Sequence, residues 1–417
     1  MAHTRYQSWI DHCPYDWGIV QLRSLKPQIE YGTNQVSNGH GAGVPVIGIP
    51  QVLSSRFVLS ELPCADVTNQ ERESLALRAH DVLLVRTNGN PSYIGRSTVI
   101  PEGTLDTLTV FASYLIRVRL DQRQMRGAFF NYILQSENGR RQSSALANTS
   151  AGNFNLGARA LSQFTLPLPT PEEQDAIIKA IDAADDEVIA LEEQIRKAER
   201  VKKALMQNAF PYESDSTGLP TIKGLIVAPV TNGYSPVCPG YETGRWVLGL
   251  DALTVHGFNP EGRKPAPNDD PKLLGNELQD NDILISRSNT RERVGYAGLY
   301  EGNPTPCFYP DLMMRVRVDH AKIRPRYLDL LLQSEFARRF FQSRAGGTSG
   351  SMVKIKERDV RQMPVILPCG DEQDIVVERF KAGAILIAAL RTQITAARRV
   401  KQSLLQNLLT GKIRLKP

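Results

Sequence analysis

This chain of 417 residues has no run of about eighteen apolar residues, and its opening stretch, MAHTRYQSWIDHC, lacks the apolar core of a secretory leader. These absences speak against a membrane span and against export, so a cytoplasmic protein is expected. Cysteine is scarce. The five residues, Cys13, Cys64, Cys238, Cys307 and Cys369, are odd in number, scattered and free of any C-x-x-C pair, which leaves neither a disulfide framework nor a zinc module. The six histidines are scattered too, and no His-x-x-x-His or acidic cluster has metal-ligand spacing. A P-loop is missing, because Gly411-Lys412 lacks the upstream glycine and the Ser or Thr that should follow. No G-x-G follows a clear strand; the glycines at 39–43 come after a polar loop. Neither catalytic residues nor a metal or cofactor bound by this chain is therefore expected.

What the chain does have is one long amphipathic pattern, present twice. Thr170 and Glu173 have capping-box spacing, and Pro171 stands at the first helical position, where its missing N–H costs nothing. From there Ile177, Ile181, Ala184, Val188, Leu191, Ile195 and Ala198 alternate spacings of four and three, the seam of a coiled coil, and Pro211 stops the run. A second copy from Asp371 to Leu409 carries Val376, Phe380, Ile387, Leu390, Ile394, Ala397, Val400 and Leu404 on one face, with Gly411 as a C-cap signal. The two copies keep a constant offset, Glu173-Gln174-Asp175 against Glu372-Gln373-Asp374 and Leu205 against Leu404. Both helices open acidic and close basic, so an antiparallel pair sets acid against base at each end. The pairing seam is expected at Ile181, Val188, Leu191 and Ile195 with Phe380, Ile387, Leu390 and Ile394. Gly383 interrupts the second seam, and Cys369-Gly370 stands where the first copy has Thr170-Pro171.

The segments between the helices repeat as well. HDVLLVRTN (His80 to Asn88) matches NDILISRSN (Asn281 to Asn289), and YLIRVRLD (Tyr114 to Asp121) matches LMMRVRVD (Leu312 to Asp319). Leu134-Gln135-Ser136-Glu137 matches Leu332-Gln333-Ser334-Glu335, and Thr149-Ser150 matches Thr348-Ser349. The short apolar runs read as strands, and Gly127 to Gln135 as a short helix. The fold class expected is α+β, a tandem duplication of a mixed α/β domain followed by a long helix, with the two helices paired antiparallel. The divisions are a lead-in at 1–15, a first domain at 16–168, a helix at 169–210, a second domain at 211–367, and a second helix with its tail at 368–417. A helix of this length spans about 55 Å. Two similar domains held apart by a rigid element suit the reading of two half-sites on DNA, and a net charge of +6 permits that partner.

At this point the residues resemble a known family, the specificity subunits of type I DNA restriction-modification systems. The resemblance rests on the duplicated plan, on P-x-x-x-E-Q-x-x-I (Pro169 to Ile177) with P-x-x-x-E-Q-x-x-V (Pro368 to Val376), on D-[VI]-L-[LI]-x-R, and on the closing LLQNLLTGKIRL. It implies two target-recognition domains, each reading one half of a split, non-palindromic site in double-stranded DNA, with the helical regions setting the spacing. It also implies partners: modification subunits, two in number, that methylate adenine with S-adenosylmethionine, and restriction subunits that use ATP and Mg. The chain itself would be a non-catalytic address and scaffold, with no membrane partner.

Candidate DNA-binding residues follow the repeats. Arg86 and Arg287 end matching strands, and Asn88 and Asn289 lie two residues on; Arg can grip guanine or phosphate, and Asn can pair with adenine. An Arg that ties down its own turn would look the same, and since both copies keep the Arg, phosphate positioning fits better than base reading. The polar loops Gln142 to Asn153 and Arg344 to Lys354, beside Arg140, Arg141 and Lys356, add Thr149, Ser150, Arg344, Thr348, Ser349 and Lys354 as backbone contacts, or as an ordinary solvated surface, and Arg291 is a further candidate. Arg117, Arg119, Arg315 and Arg317 form either a basic stripe toward DNA or the outer face of a half-buried strand. Two other readings are a coiled-coil scaffold that binds proteins without DNA and a self-contained adenine methyltransferase. The second rests on Asn90-Pro91-Ser92-Tyr93, near the Asn-Pro-Pro-Tyr box that holds a flipped adenine, but Ser replaces the second Pro and the repeat copy reads Asn289-Thr290-Arg291-Glu292.

Overall fold

The computed structural model describes residues 13–36, 39, 41–53, 57, 62–150, 152–211, 217–347 and 352–415. It divides into two compact units, Met1–Glu192 with Thr392–Pro417, and Glu193–Arg391. Each unit holds one globular domain and one half of each long helix. Among the described residues no helix is long and apolar enough to cross a membrane.

The first unit is built on an antiparallel four-stranded sheet in the order Gln28–Tyr31, Leu115–Arg119, Val82–Val85, Ser97–Val99. The run Val82-Leu83-Leu84-Val85 is apolar throughout because both of its faces are covered. Val82 and Leu84 join Ile116, Val118, Phe129, Phe130 and Ile133 in one core, under the helix Gly127–Gln135. Leu83 and Val85 join Val46, Val110 and Phe111 in a second core, against the sheet Cys64–Ala65, Val44–Ile47, Val110–Phe111. The second unit repeats this plan. Its sheet runs Thr231–Asn232, Met313–Val316, Ile283–Ser286, Ala297–Leu299, with Ile283 and Ile285 facing one core and Leu284 the other.

Small structural devices repeat between the copies. His80 and Asn281 have φ of 67° and 70°, the left-handed turn that sends the chain into the central strand. The carboxylates of Asp81 and Asp282 accept from the backbone N–H of Arg78 and Gln279, both at 2.8 Å. In the Leu-Gln-Ser-Glu motif the serine is the cap: Ser136 Oγ accepts from Gly139 N–H at 3.1 Å and Ser334 Oγ from Ala337 N–H at 3.3 Å, starting the helices Glu137–Leu146 and Glu335–Arg344.

The long helices span Pro171–Ala209 and Gly370–Leu408 and pack against each other. In the first unit Lys401 pairs with Asp185 and Arg398 with Glu192 (2.8 Å); in the second, Arg391 pairs with Glu199 (3.0 Å). Partners on one helix descend as those on the other ascend, so the helices are antiparallel. Of the expected seam, Ile181, Leu191, Phe380, Ile387, Leu390 and Ile394 are buried, while Val188 and Ile195 are half-buried.

Only half of the expected capping box forms at Thr170. Its hydroxyl accepts from Glu173 N–H at 3.3 Å, but the Glu173 carboxylate is drawn elsewhere. It accepts from Trp17 Nε1 (3.0 Å) and from both Nε and Nη2 of Arg414 (2.8 Å), and Arg414 also reaches Asp16. The segment around residues 14–17 and the tail beyond Leu409 thus meet over the start of the first long helix, within the first unit. Two salt-bridge partners hold the Arg414 guanidinium's pKa above its already high ordinary range, Glu173 contributing most. Arg414→Ala is expected to lower the melting temperature, and Arg414→Lys, which keeps the charge but not the fork, to restore only part of the loss. Equal melting of all three proteins would refute a closing role for this contact.

Candidate nucleic-acid interface

In each unit the central strand runs out of the core into a short polar strand. In the first, Thr87–Asn88 pairs with Asn153–Asn155, which pairs with Asn148–Ser150, so that Asn88, Phe154 and Thr149 lie on successive rungs. In the second, Ser288–Asn289 pairs with Val353–Lys354. The fold therefore brings Asn88 together with Thr149 and the Ser150 backbone, and Asn289 together with Lys354. Thr149 and Lys354 are exposed. Thr348 and Ser349 lie outside the described residues.

The two strand-end arginines are anchored by carbonyls. Arg86 Nη1 donates to Ser113 O (3.1 Å) while its guanidinium lies 4.3 Å above the Tyr31 ring; Arg287 Nη1 donates to Asp311 O (3.2 Å). Each keeps further N–H groups, so anchoring and phosphate contact are compatible. Asn88 is half-buried, and its Oδ1 accepts from Asn90 N–H at 2.8 Å. Asn289 is buried, accepting from Thr290 N–H (2.9 Å) and donating to Ser286 Oγ (3.4 Å). The two asparagines thus differ in availability despite matching in sequence. Arg291 is exposed.

The polar stretch from Gln142 is not a loop at its start. Arg140 and Arg141 sit on the helix Glu137–Leu146, and strands follow at Asn148–Ser150 and Asn153–Asn155. Likewise Arg344 ends the helix Glu335–Arg344, exposed and stacked 3.6 Å from the Phe340 ring centre. Polar composition suggested a loop, but the serine cap and buried Gln142, which exchanges hydrogen bonds with both Thr165 backbone groups (2.6 and 2.9 Å), make the helix. Arg140 holds the carbonyls of Ile94 (2.8 Å) and Ser92 (2.5 Å); Arg141 pairs with Glu137 along the helix. Burial first, then the charge of Arg96, pulls the Arg140 pKa below its ordinary value. Arg338, absent from the sequence-based candidates, does the same in the second unit, gripping the carbonyls of Val294 (2.7 Å) and Glu292. Extending the repeat alignment three residues beyond Glu335 would have found it.

Neither copy presents a basic stripe on its central sheet. Arg117 is buried and paired with Glu30 (2.8 Å), and Arg119 forks onto Asp81 (2.7 Å to each oxygen). Arg317 forks onto Asp282, and Arg315 stacks 5.3 Å from the Tyr309 ring centre. Asn90 Oδ1 caps the turn Pro91–Tyr93 by accepting from Ser92 N–H at 3.0 Å, so the stretch that approaches a methyltransferase box is a turn. A cleft of about 750 Å³ in the first unit is lined by Arg96, Arg140, Arg398 and Lys401 but also by Asp185, Asp186 and Glu192, a mixture unsuited to tracking phosphates.

Two α/β units on paired helices, each continuing its central strand into a short polar strand paired with a later segment, make a duplicated scaffold. No family model matches the chain. Along nearly its whole length, however, it is related to type I restriction enzyme specificity subunits, which are non-catalytic components of their complexes. It is 22% identical to the EcoKI specificity subunit of Escherichia coli, over 98% of this chain and 89% of that one. It is 21% identical to the MjaVIII specificity subunit of Methanocaldococcus jannaschii, over 97% and 94%. The fold is that of the type I S subunit from M. genitalium, with a TM-score of 0.55 and 13% identity over 94% of this chain and 96% of that one.

Proposed function

We propose that this chain is the DNA-reading subunit of a type I restriction-modification complex, that it recognises a split, non-palindromic duplex site, and that it carries the modification and restriction subunits on its helical frame. The observation that supports this most is the duplication of one polar strand-end site with different exposed side chains: Thr149 in one copy, Arg291 and Lys354 in the other. A symmetric frame with unlike reading surfaces calls for unlike half-sites. Residues 16–168 would read one half and residues 211–367 the other, with Arg86, Arg287, Arg141 and Arg344 engaging phosphates. S-adenosylmethionine and ATP with Mg would belong to the partner subunits.

The test is to express the chain with its modification subunit and map the methylated adenines. A split motif with a central gap of roughly half a turn to one turn of DNA is expected, and a continuous motif would sink the reading. Exchanging residues 16–168 for the same segment of a relative should change one half of the motif and spare the other. Removing one helical turn between Ala184 and Leu191 should alter the gap or abolish modification. Duplex binding should weaken steeply with added salt; salt-independent or absent binding would favour a purely protein-binding scaffold.

A further inference from the structure

The Glu-Gln-Asp motif that opens each long helix does more than start it. Gln174 is fully buried, and its amide joins three backbone groups from two segments, the turn before the helix Gly127–Gln135 and the approach to the long helix. Its Oε1 accepts from Arg126 N–H (2.8 Å), and its Nε2 donates to Gln124 O (3.0 Å) and Pro169 O (2.9 Å). The next residue, Asp175, takes a two-point grip from the Arg126 guanidinium (2.8 and 2.7 Å). The second unit repeats every contact. Gln373 accepts from Arg324 N–H (2.8 Å) and donates to Lys322 O (3.3 Å) and Pro368 O (3.0 Å), and Asp374 grips Arg324 (2.9 and 3.0 Å). Only an amide both accepts and donates in this way; a Glu carboxylate accepts alone, and Leu does neither.

The residues that these amides hold lead directly to the reading site. Arg126 N-caps the helix Gly127–Gln135, which packs through Phe129, Phe130 and Ile133 on Val82 and Leu84 of the central strand. That strand runs straight into Arg86 and Asn88. From long helix to polar sheet, every link is a hydrogen-bonded or close-packed element, with no free loop to absorb an angular error. A joint of this kind transmits orientation, because misplacing a binding group by even about 1 Å degrades a match that depends on geometry.

We infer that Gln174 and Gln373 are positioning residues, joints that hold each recognition domain at a set angle on its long helix, so that the protein discriminates the length of the gap between the two halves of its target. This rests on the split-site reading proposed above. The experiment uses the chain in complex with its modification subunit and measures methylation rates on duplexes carrying the mapped target with the natural gap, one base pair fewer and one more. Wild type should prefer its own gap. Gln174→Leu and Gln373→Leu should each reduce that preference by about tenfold, as expected for a lost buried hydrogen-bond set, with base preference in both halves unchanged. The isosteric Gln174→Glu, which keeps the acceptor and loses the donors, should fall between, and it serves as the test if the leucine variant does not fold. Variants that melt lower but keep the full gap preference would overturn the inference and leave the amides with a stabilising role alone. A wild type indifferent to gap length would instead refute the split-site reading.

Discussion

Leu191→Asp should lower the stability of the first unit by about 3–5 kcal/mol, or roughly 10 °C in melting temperature. Leu191 is buried on the first long helix, in the unit that also buries Ile394 and Ala397 of the second. A carboxylate there loses the leucine's packing and must be desolvated among apolar neighbours, or else drive the helices apart. The flanking ion pair of Glu192 with Arg398 has side chains 24% and 61% exposed, so it directs orientation while the apolar seam supplies the stability. Leu191→Met, which conserves volume, should cost less than about 1.5 kcal/mol. Thermal melting of the three proteins decides the matter: if the aspartate variant melts with wild type, the seam is not where the apolar pattern places it.

The second large effect is expected at Asp81, and equally at Asp282 in the other copy. Both carboxylates are about 1% exposed, and each does two things at once. Each closes the left-handed turn before the central strand by accepting a backbone N–H at 2.8 Å, and each receives a forked arginine, Arg119 or Arg317, from the neighbouring strand. Asp81→Ala would leave Arg119 uncompensated next to Arg117, whose pKa burial first and then Arg119 already pull below the ordinary arginine range. Removing one partner of such a pair costs about 3–5 kcal/mol. In urea denaturation the single variant should lose that much, while Asp81→Ala with Arg119→Ala together should lose less than the sum of the singles, since the orphaned charge is gone. Strict additivity would show that the two side chains do not act as a pair.

These two sites differ in how far they could be read from the sequence. The leucine could be placed in advance because a heptad pattern is local: Ile181, Val188 and Leu191 share a face whatever the partner, and an equal pattern at Phe380, Ile387 and Leu390 names the partner. The same holds for the run Val82–Val85 and for the helix Gly127–Gln135, whose periods are properties of a few adjacent residues. The aspartates were invisible as anchors, because the residues that make them so lie 35 to 38 positions away along the chain. The polar helix Glu137–Leu146 was missed because few of its residues are apolar, and its burial falls on Gly139, Gln142 and Ser143.

From the sequence alone came the duplication, the two long helices, their antiparallel sense and the α+β class, because repeats, periodic apolar positions and charge runs are carried by neighbours in the chain. The tertiary structure decided the fate of the polar groups. It turned Arg117, Arg119, Arg140 and Arg338 inward onto carboxylates and carbonyls, left Arg141, Arg291, Arg344 and Lys354 at the surface, and made Gln174 and Gln373 the fastening of each domain to its helix. A guanidinium or an amide has the same valence wherever it occurs; what it does is set by which donors and acceptors the fold brings within about 3 Å.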